Sequence, residues 1–212
     1  PWFKTPNLDQ LAAEGLRFRN AFAATAVCSA SRAEFLTGRY GHFNGVANNQ
    51  THFPVDNATW ATGLKEVGYT TAYIGKWHMS NQRERPGFDY AASFTSHGRY
   101  NNCPFLIDGV ETKTNGWIDD VSTDYAIEYL KRDFDRPFAM ALGFKTPHIP
   151  FEPPVRAKDR YAGEKVRAVA NFDKAAIYRP ETEYGNPWEP RAEQPGWALS
   201  YFRCISAIDE NI

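Results

Sequence analysis

Helical spacing and β-rich runs take turns along this chain, and that alternation narrows the possible folds more than any other feature. Thr5 stands as an N-cap, Pro6 opens a helix, Leu8, Leu11 and Ala12 mark one face, and Gly15 stops it. Residues 16 to 23 then alternate as a strand does. Val27-Cys28-Ser29-Ala30-Ser31-Arg32 follows and enters a short helix through Phe35 and Leu36, terminated by Gly38. A second pair consists of a helix from Thr59 to Val67 closed by Gly68, then an extended run from Tyr69 to Gly75. The third begins near Asp120, with Tyr125, Ile127 and Leu130 as expected buried positions, and leads into the apolar run from Phe138 to Phe144. This order predicts an α/β sheet with helices on both faces. Residues 150 to 197 are rich in proline, carry Tyr178, Trp188 and Trp197, and read as an irregular surface segment. Leu199, Phe202, Ile205 and Ile208 return to helical spacing.

A net charge of −1 argues against general nucleic-acid binding, which needs a basic excess to release counterions. Any anion must instead be held by a few placed cations. No apolar run is long enough to span a membrane, and no basic-then-apolar signal opens the chain. The chain starts at Pro1 and stops at Ile212 inside a helical pattern, so the expectation is one partial domain over residues 1–212, trimmed at both ends. Cys28, Cys103 and Cys204 are too few for a disulfide framework and fit no zinc spacing, which leaves free thiols as the expectation. The sequons at Asn49 and Asn57 are short enough to arise by chance.

The chemistry is positional. Each expected strand is followed at once by reactive or cationic residues: Cys28 and Arg32 after the first, Lys76 and His78 after the second, Lys145 and His148 after the third. Ligand sites of open α/β sheets lie beyond the carboxyl ends of the strands, so neighbouring strands would gather these groups. Lysines, an arginine and two histidines around one nucleophilic position describe a pocket for a tetrahedral oxyanion. Cys28 also stands at a helix entrance, where free amides and the helix dipole favour anions and lower a thiol's pKa. For a lone cysteine the competing reading is a buried, inert thiol.

Cys28-Ser29-Ala30-Ser31-Arg32, continued by Phe35-Leu36-Thr37-Gly38-Arg39, resembles the sulfatase signature. Thr5-Pro6-Asn7-Leu8-Asp9 and Asn20-Ala21-Phe22 are similar to its lead-in, Gly75-Lys76-Trp77-His78 to its second signature, and Pro147-His148-Ile149-Pro150 to its third histidine motif. The likeness runs in order over nearly the whole chain. It implies an alkaline-phosphatase-like α/β architecture and a cysteine oxidised to formylglycine by a formylglycine-generating enzyme. In that family one oxygen of the hydrated aldehyde, held by a divalent cation (usually calcium), attacks sulfur in line; the alcohol leaves, and the second hydroxyl then expels sulfate. Carried onto this chain, the resemblance makes Cys28 the nucleophile precursor and a metal ligand, and Arg32 the residue that orients its hydrate. Lys76 would hold a sulfate oxygen, His78 would take the diol proton, and His148 would contact sulfate and protonate the leaving alcohol. Lys145 is a further candidate for sulfate contact. The implied partner is a sulfated small molecule or glycan, and the implied compartment periplasmic, secreted or lysosome-like.

Two departures stand out. Ala30 replaces the commoner proline of the motif, and the family's acidic metal ligands, a paired-Asp strand and a later Asp-Asn pair, have no match here. Asp119-Asp120 offers a substitute but falls where a helix cap is expected. His42, His52 and His97 carry no motif and read as ordinary surface or loop residues, and Tyr40 and Tyr69 as core or rim packing. Trp188 and Trp197 are candidates for stacking on a sugar, against the plainer reading of packing on their own loop. Alternatives to a sulfatase are a phosphonate or phosphate ester hydrolase with the same aldehyde, a catalytically dead glycan- or anion-binding module, and a thiol hydrolase using Cys28.

Overall fold

The computed structural model describes residues 2–166 and 196–212. They form two compact units, one of residues 16–145 with 211, the other of residues 2–15, 146–166 and 196–210 with 212.

The first unit is built on a five-stranded sheet: β1 (Thr70–Lys76), β2 (Tyr90–Phe94), β3 (Phe105–Ile107), β4 (Val110–Thr112) and β5 (Phe138–Gly143), in the order β4-β3-β2-β1-β5. β1 pairs in parallel with both β2 and β5, while β2–β3 and β3–β4 are antiparallel. β1 and β2 are buried almost throughout, as parallel strands covered on both faces are, while β5 at the edge is half-buried. Tyr73 and Trp77 pack with Ala33, Leu36, Val46, Phe53 and Met79, on the side of α2 (Cys28–Thr37) and α4 (Trp60–Glu66). On the opposite face Ala72 and Ile74 pack with Ala126 and Tyr129 of α5 (Ile118–Leu130). A four-residue helix, α3 (Gly41–Asn44), follows α2. The expected α/β layering is therefore present.

Local chemistry explains the boundaries. Gly38 ends α2 in the left-handed conformation (φ 66), its amide returning to Glu34 O. Thr59 and Thr62 form a reciprocal capping box at the start of α4. At the carboxyl end of β1, Gly75 lies at φ 88 and faces Gly143 across the β1–β5 ladder; a Cβ on Gly75 would overlap the Gly143 carbonyl oxygen. Only glycine lets the two strand ends approach so closely.

In the second unit, α1 (Pro6–Glu14) has Thr5 at its N-cap position, but the cap bonds come from elsewhere. The Asp209 carboxylate of α6 (Trp197–Asn211) accepts from Leu8 N at 2.8 Å and Asn7 N at 3.2 Å. Trp2, Phe3, Tyr161 and Phe202 form an aromatic cluster, and Arg156 and Arg160 pair with Glu210.

Several expectations are corrected. Residues 16 to 23 form no strand: Leu16, Phe18 and Phe22 are 79%, 73% and 93% exposed and have no ladder partner among the described residues. α5 buries Ile118, Val121, Ser122, Ala126 and Tyr129, leaving Tyr125 half-buried and Ile127 and Leu130 exposed. Tyr40 is exposed and not in the core, its ring stacked on that of His42 at 5.9 Å. Trp197 is the first residue of α6, half-buried with its ring 4.6 Å from that of Phe151, not a loop residue. Tyr178 and Trp188 lie outside the described residues. Cys28, Cys103 and Cys204 are free thiols. No helix among the described residues is long and apolar enough to cross a membrane.

Candidate active site

Cys28 is the first residue of α2 and half-buried. Its N-cap neighbour Val27 has no side chain able to cap, so the helix entrance is held from outside. Asn49 Oδ1 accepts from Ser29 N at 3.0 Å, and Ser29 Oγ donates to His78 O at 2.6 Å. Arg32, one helical turn beyond Cys28, donates through Nη1 to Lys76 O at 2.6 Å and to Tyr73 Oη at 3.2 Å. The helix that carries Cys28 is thus bonded directly to the carboxyl end of β1.

Lys76 closes β1 and is only 3% exposed. Its pKa is lowered to about 8, first by burial and then by the Arg32 charge, with Lys145 in the same direction and Asp119 against it. Past Lys76 the backbone turns sharply, with His78 in the left-handed region at φ 51, a conformation that costs on the order of 1 kcal/mol or more for a non-glycine residue. The turn buries the His78 ring, 2% exposed, against the ring of His97 with centroids 4.0 Å apart.

Lys145 follows β5 and is buried. Its backbone amide donates to Asp119 Oδ1 at 2.8 Å, while its Nζ donates to His97 O at 3.1 Å and lies 4.6 Å from the Tyr100 ring centre. A cleft of about 470 Å³ borders Arg32 and Tyr73 and runs along residues 140–143 of β5.

Cys28, Arg32, Lys76, His78 and Lys145 therefore fall in one unit, gathered at the carboxyl ends of β1 and β5 and the entrance of α2. His148 belongs to the other unit, where its Nδ1 lies 2.6 Å from Ile149 O. Asp119 and Asp120 are in the first turn of α5 behind the N-cap Trp117, not at the cap itself, and Asp119 binds the Lys145 amide. His97 is corrected from an ordinary loop residue to a half-buried member of this cluster. The signal that finds it is the one that finds Lys76: it follows the carboxyl end of a parallel strand, β2. Tyr73 and Asn49 join the site only through tertiary hydrogen bonds.

Fold and site together define an α/β protein that surrounds a half-buried cysteine at a helix entrance with cationic groups. The sulfatase family model matches residues 1–212, and the chain belongs to the sulfatase family. It is 38% identical over 157 residues to the N-acetylglucosamine-6-O-sulfatase of Bacteroides thetaiotaomicron, covering 72% of this chain and 28% of that protein. With the ulvan-active sulfatase of Formosa agariphila it shares 34% identity over 183 residues, 78% of this chain and 35% of that one. A solved structure of a protein in complex with its substrate D-glucosamine-2-N,6-O-disulfate superposes with a TM-score of 0.76 at 36% identity, covering 80% of this chain and 35% of the other. The chain spans about a third of the length of these curated relatives.

Proposed function

We propose that the whole protein hydrolyses sulfate monoesters of a carbohydrate, using a formylglycine made from Cys28 by a formylglycine-generating enzyme. The observation that carries this reading is the bond from Arg32, one turn beyond Cys28, to the carbonyl of the buried Lys76, which supports a nucleophile at residue 28 working with that cation. Family membership and the carbohydrate sulfates named for the relatives support the substrate class. A secreted, periplasmic or lysosome-like compartment fits the same class.

Once hydrated, the aldehyde at residue 28 supplies the attacking oxygen. Arg32 orients it from the same helix face, its guanidinium held by Lys76 O. Lys76 and Lys145 bind sulfate oxygens, and their burial strengthens each contact by excluding water. His78 takes the proton whose loss lets the second hydroxyl expel sulfate. Calcium is the cation expected of such a site, with residue 28 as one ligand. The described residues do not complete its shell: no three His, Cys, Asp or Glu converge among them, and Asp119 Oδ1 already accepts the Lys145 amide.

The test is the full-length protein coexpressed with a formylglycine-generating enzyme. Peptide mass spectrometry is expected to show the aldehyde at residue 28, and an aryl sulfate is expected to turn over faster than the matched aryl phosphonate. Intact cysteine alone sinks the aldehyde mechanism. Faster phosphonate turnover reassigns the reaction to phosphonate ester hydrolysis.

A further inference from the structure

We infer that Tyr73 is a positioning residue that locks the helix of Cys28 to the sulfate-binding Lys76, an inference that rests on the sulfatase reading above. A single carbonyl oxygen, that of Lys76, accepts from Arg32 Nη1 at 2.6 Å and from the Tyr73 hydroxyl at 2.6 Å. A carbonyl oxygen has two lone pairs, so these two side chains use both. Arg32 Nη1 also donates to the Tyr73 oxygen at 3.2 Å, which closes a triangle of three hydrogen bonds. The peptide between Lys76 and Trp77 cannot rotate without breaking two of them. Lys76 and His78 both hang from that stretch of chain.

The hydroxyl is held in place by its ring. Tyr73 is 5% exposed, wedged edge-on against Trp77 at 4.9 Å and Phe88 at 5.2 Å between ring centres. Burial raises the phenol pKa although the Arg32 charge works against it, so the group remains a donor at neutral pH. Gly143 closes the remaining side of the triangle. A Cβ there would lie 3.0 Å from Lys76 O and 3.3 Å from both Arg32 Nη1 and Tyr73 Oη.

The plainer reading is that a buried tyrosine has simply found an acceptor, as buried tyrosines usually do. The identity of its partners points further. The donor to Tyr73 is the arginine one turn beyond Cys28, and the acceptor belongs to Lys76 itself. Tyr73 lies outside the Gly75-Lys76-Trp77-His78 motif, so the motif does not account for it.

The experiment uses full-length enzyme carrying the aldehyde, with turnover of an aryl sulfate normalised to aldehyde content. Tyr73→Phe keeps the ring packing and removes the hydroxyl. It is expected to lower kcat roughly tenfold while KM stays within about twofold, because the loss is of placement and not of a substrate contact. Gly143→Ala presses on the same triangle from the other side and should lower kcat likewise. The double variant should lose less than the product of the single losses, since both act on one unit. An unchanged kcat in Tyr73→Phe, a loss carried by KM alone, or multiplicative losses overturns the inference. Wild-type enzyme that fails to turn over sulfate esters overturns the sulfatase reading and this inference with it; wild-type turnover with an indifferent Tyr73→Phe overturns this inference alone.

Discussion

Lys76 carries its charge where a charge is hardest to hold. It is 3% exposed, and burial brings its pKa from 10.5 to about 8. Because the folded value lies below the unfolded one, the unfolded chain binds more protons between the two. The destabilisation is whole below about pH 8 and fades as pH rises toward 10.5. Lys76→Met is therefore expected to abolish sulfate turnover yet stabilise the fold by roughly 3 kcal/mol at pH 7, with the gain shrinking toward pH 10. Urea denaturation at both pH values checks it; an equal gain at both, or a loss, contradicts the assignment. Residues embedded in motifs, such as Cys28, Arg32, Lys76 and His78, were legible as chemistry because their neighbours in sequence identify them. His97 carries no motif: its position after β2 marks it once that strand is known, and the ring of His78 at 4.0 Å, 19 positions away, and the bond from Lys145 Nζ to its carbonyl bring it to the site.

At the scale of elements, the entrance of α2 depends on a residue 20 positions away from the amide it caps. Asn49 Oδ1 takes the Ser29 amide because Val27 offers no side-chain acceptor. Asn49→Ala should cost about 1 kcal/mol of stability and Asn49→Asp should retain most of it. Denaturant midpoints of the two variants decide it; no difference between them would remove Asn49 as a cap. Helices α1, α2, α4 and α6 and strands β1 and β5 were readable from caps, glycines and periodicity. The buried face of α5 was not, because it mixes small and polar residues, Ser122 and Ala126, with Ile118, Val121 and Tyr129, and large apolar residues such as Ile127 and Leu130 lie on the exposed side. Strands β2, β3 and β4 are only 5, 3 and 3 residues long, too short for alternation to register. The opposite error at residues 16 to 23 has the same origin, since alternation without a neighbouring edge makes no ladder.

For the molecule as a whole, residues 1–212 produced alone are expected to bind calcium only weakly, with little heat released below about 1 mM, and to leave an aryl sulfate intact. The reason is donor count among the described residues: calcium takes six to eight oxygens, Cys28 in its aldehyde form supplies one, and no three His, Cys, Asp or Glu converge among them. Calorimetry beside a turnover assay tests this, and tight binding with turnover would direct mutagenesis to Asp119 and Asp120. Sequence by itself determined the α/β class, the family and the motif residues, because helix punctuation and reactive motifs are local properties of a few adjacent side chains. Tertiary structure alone decided that β1 lies between β2 and β5, and that Gly75 and Gly143 bring two strand ends together. It alone joined Tyr73, Arg32 and the Lys76 carbonyl, since hydrogen bonds spanning 41 and 44 residues leave no trace in local pattern.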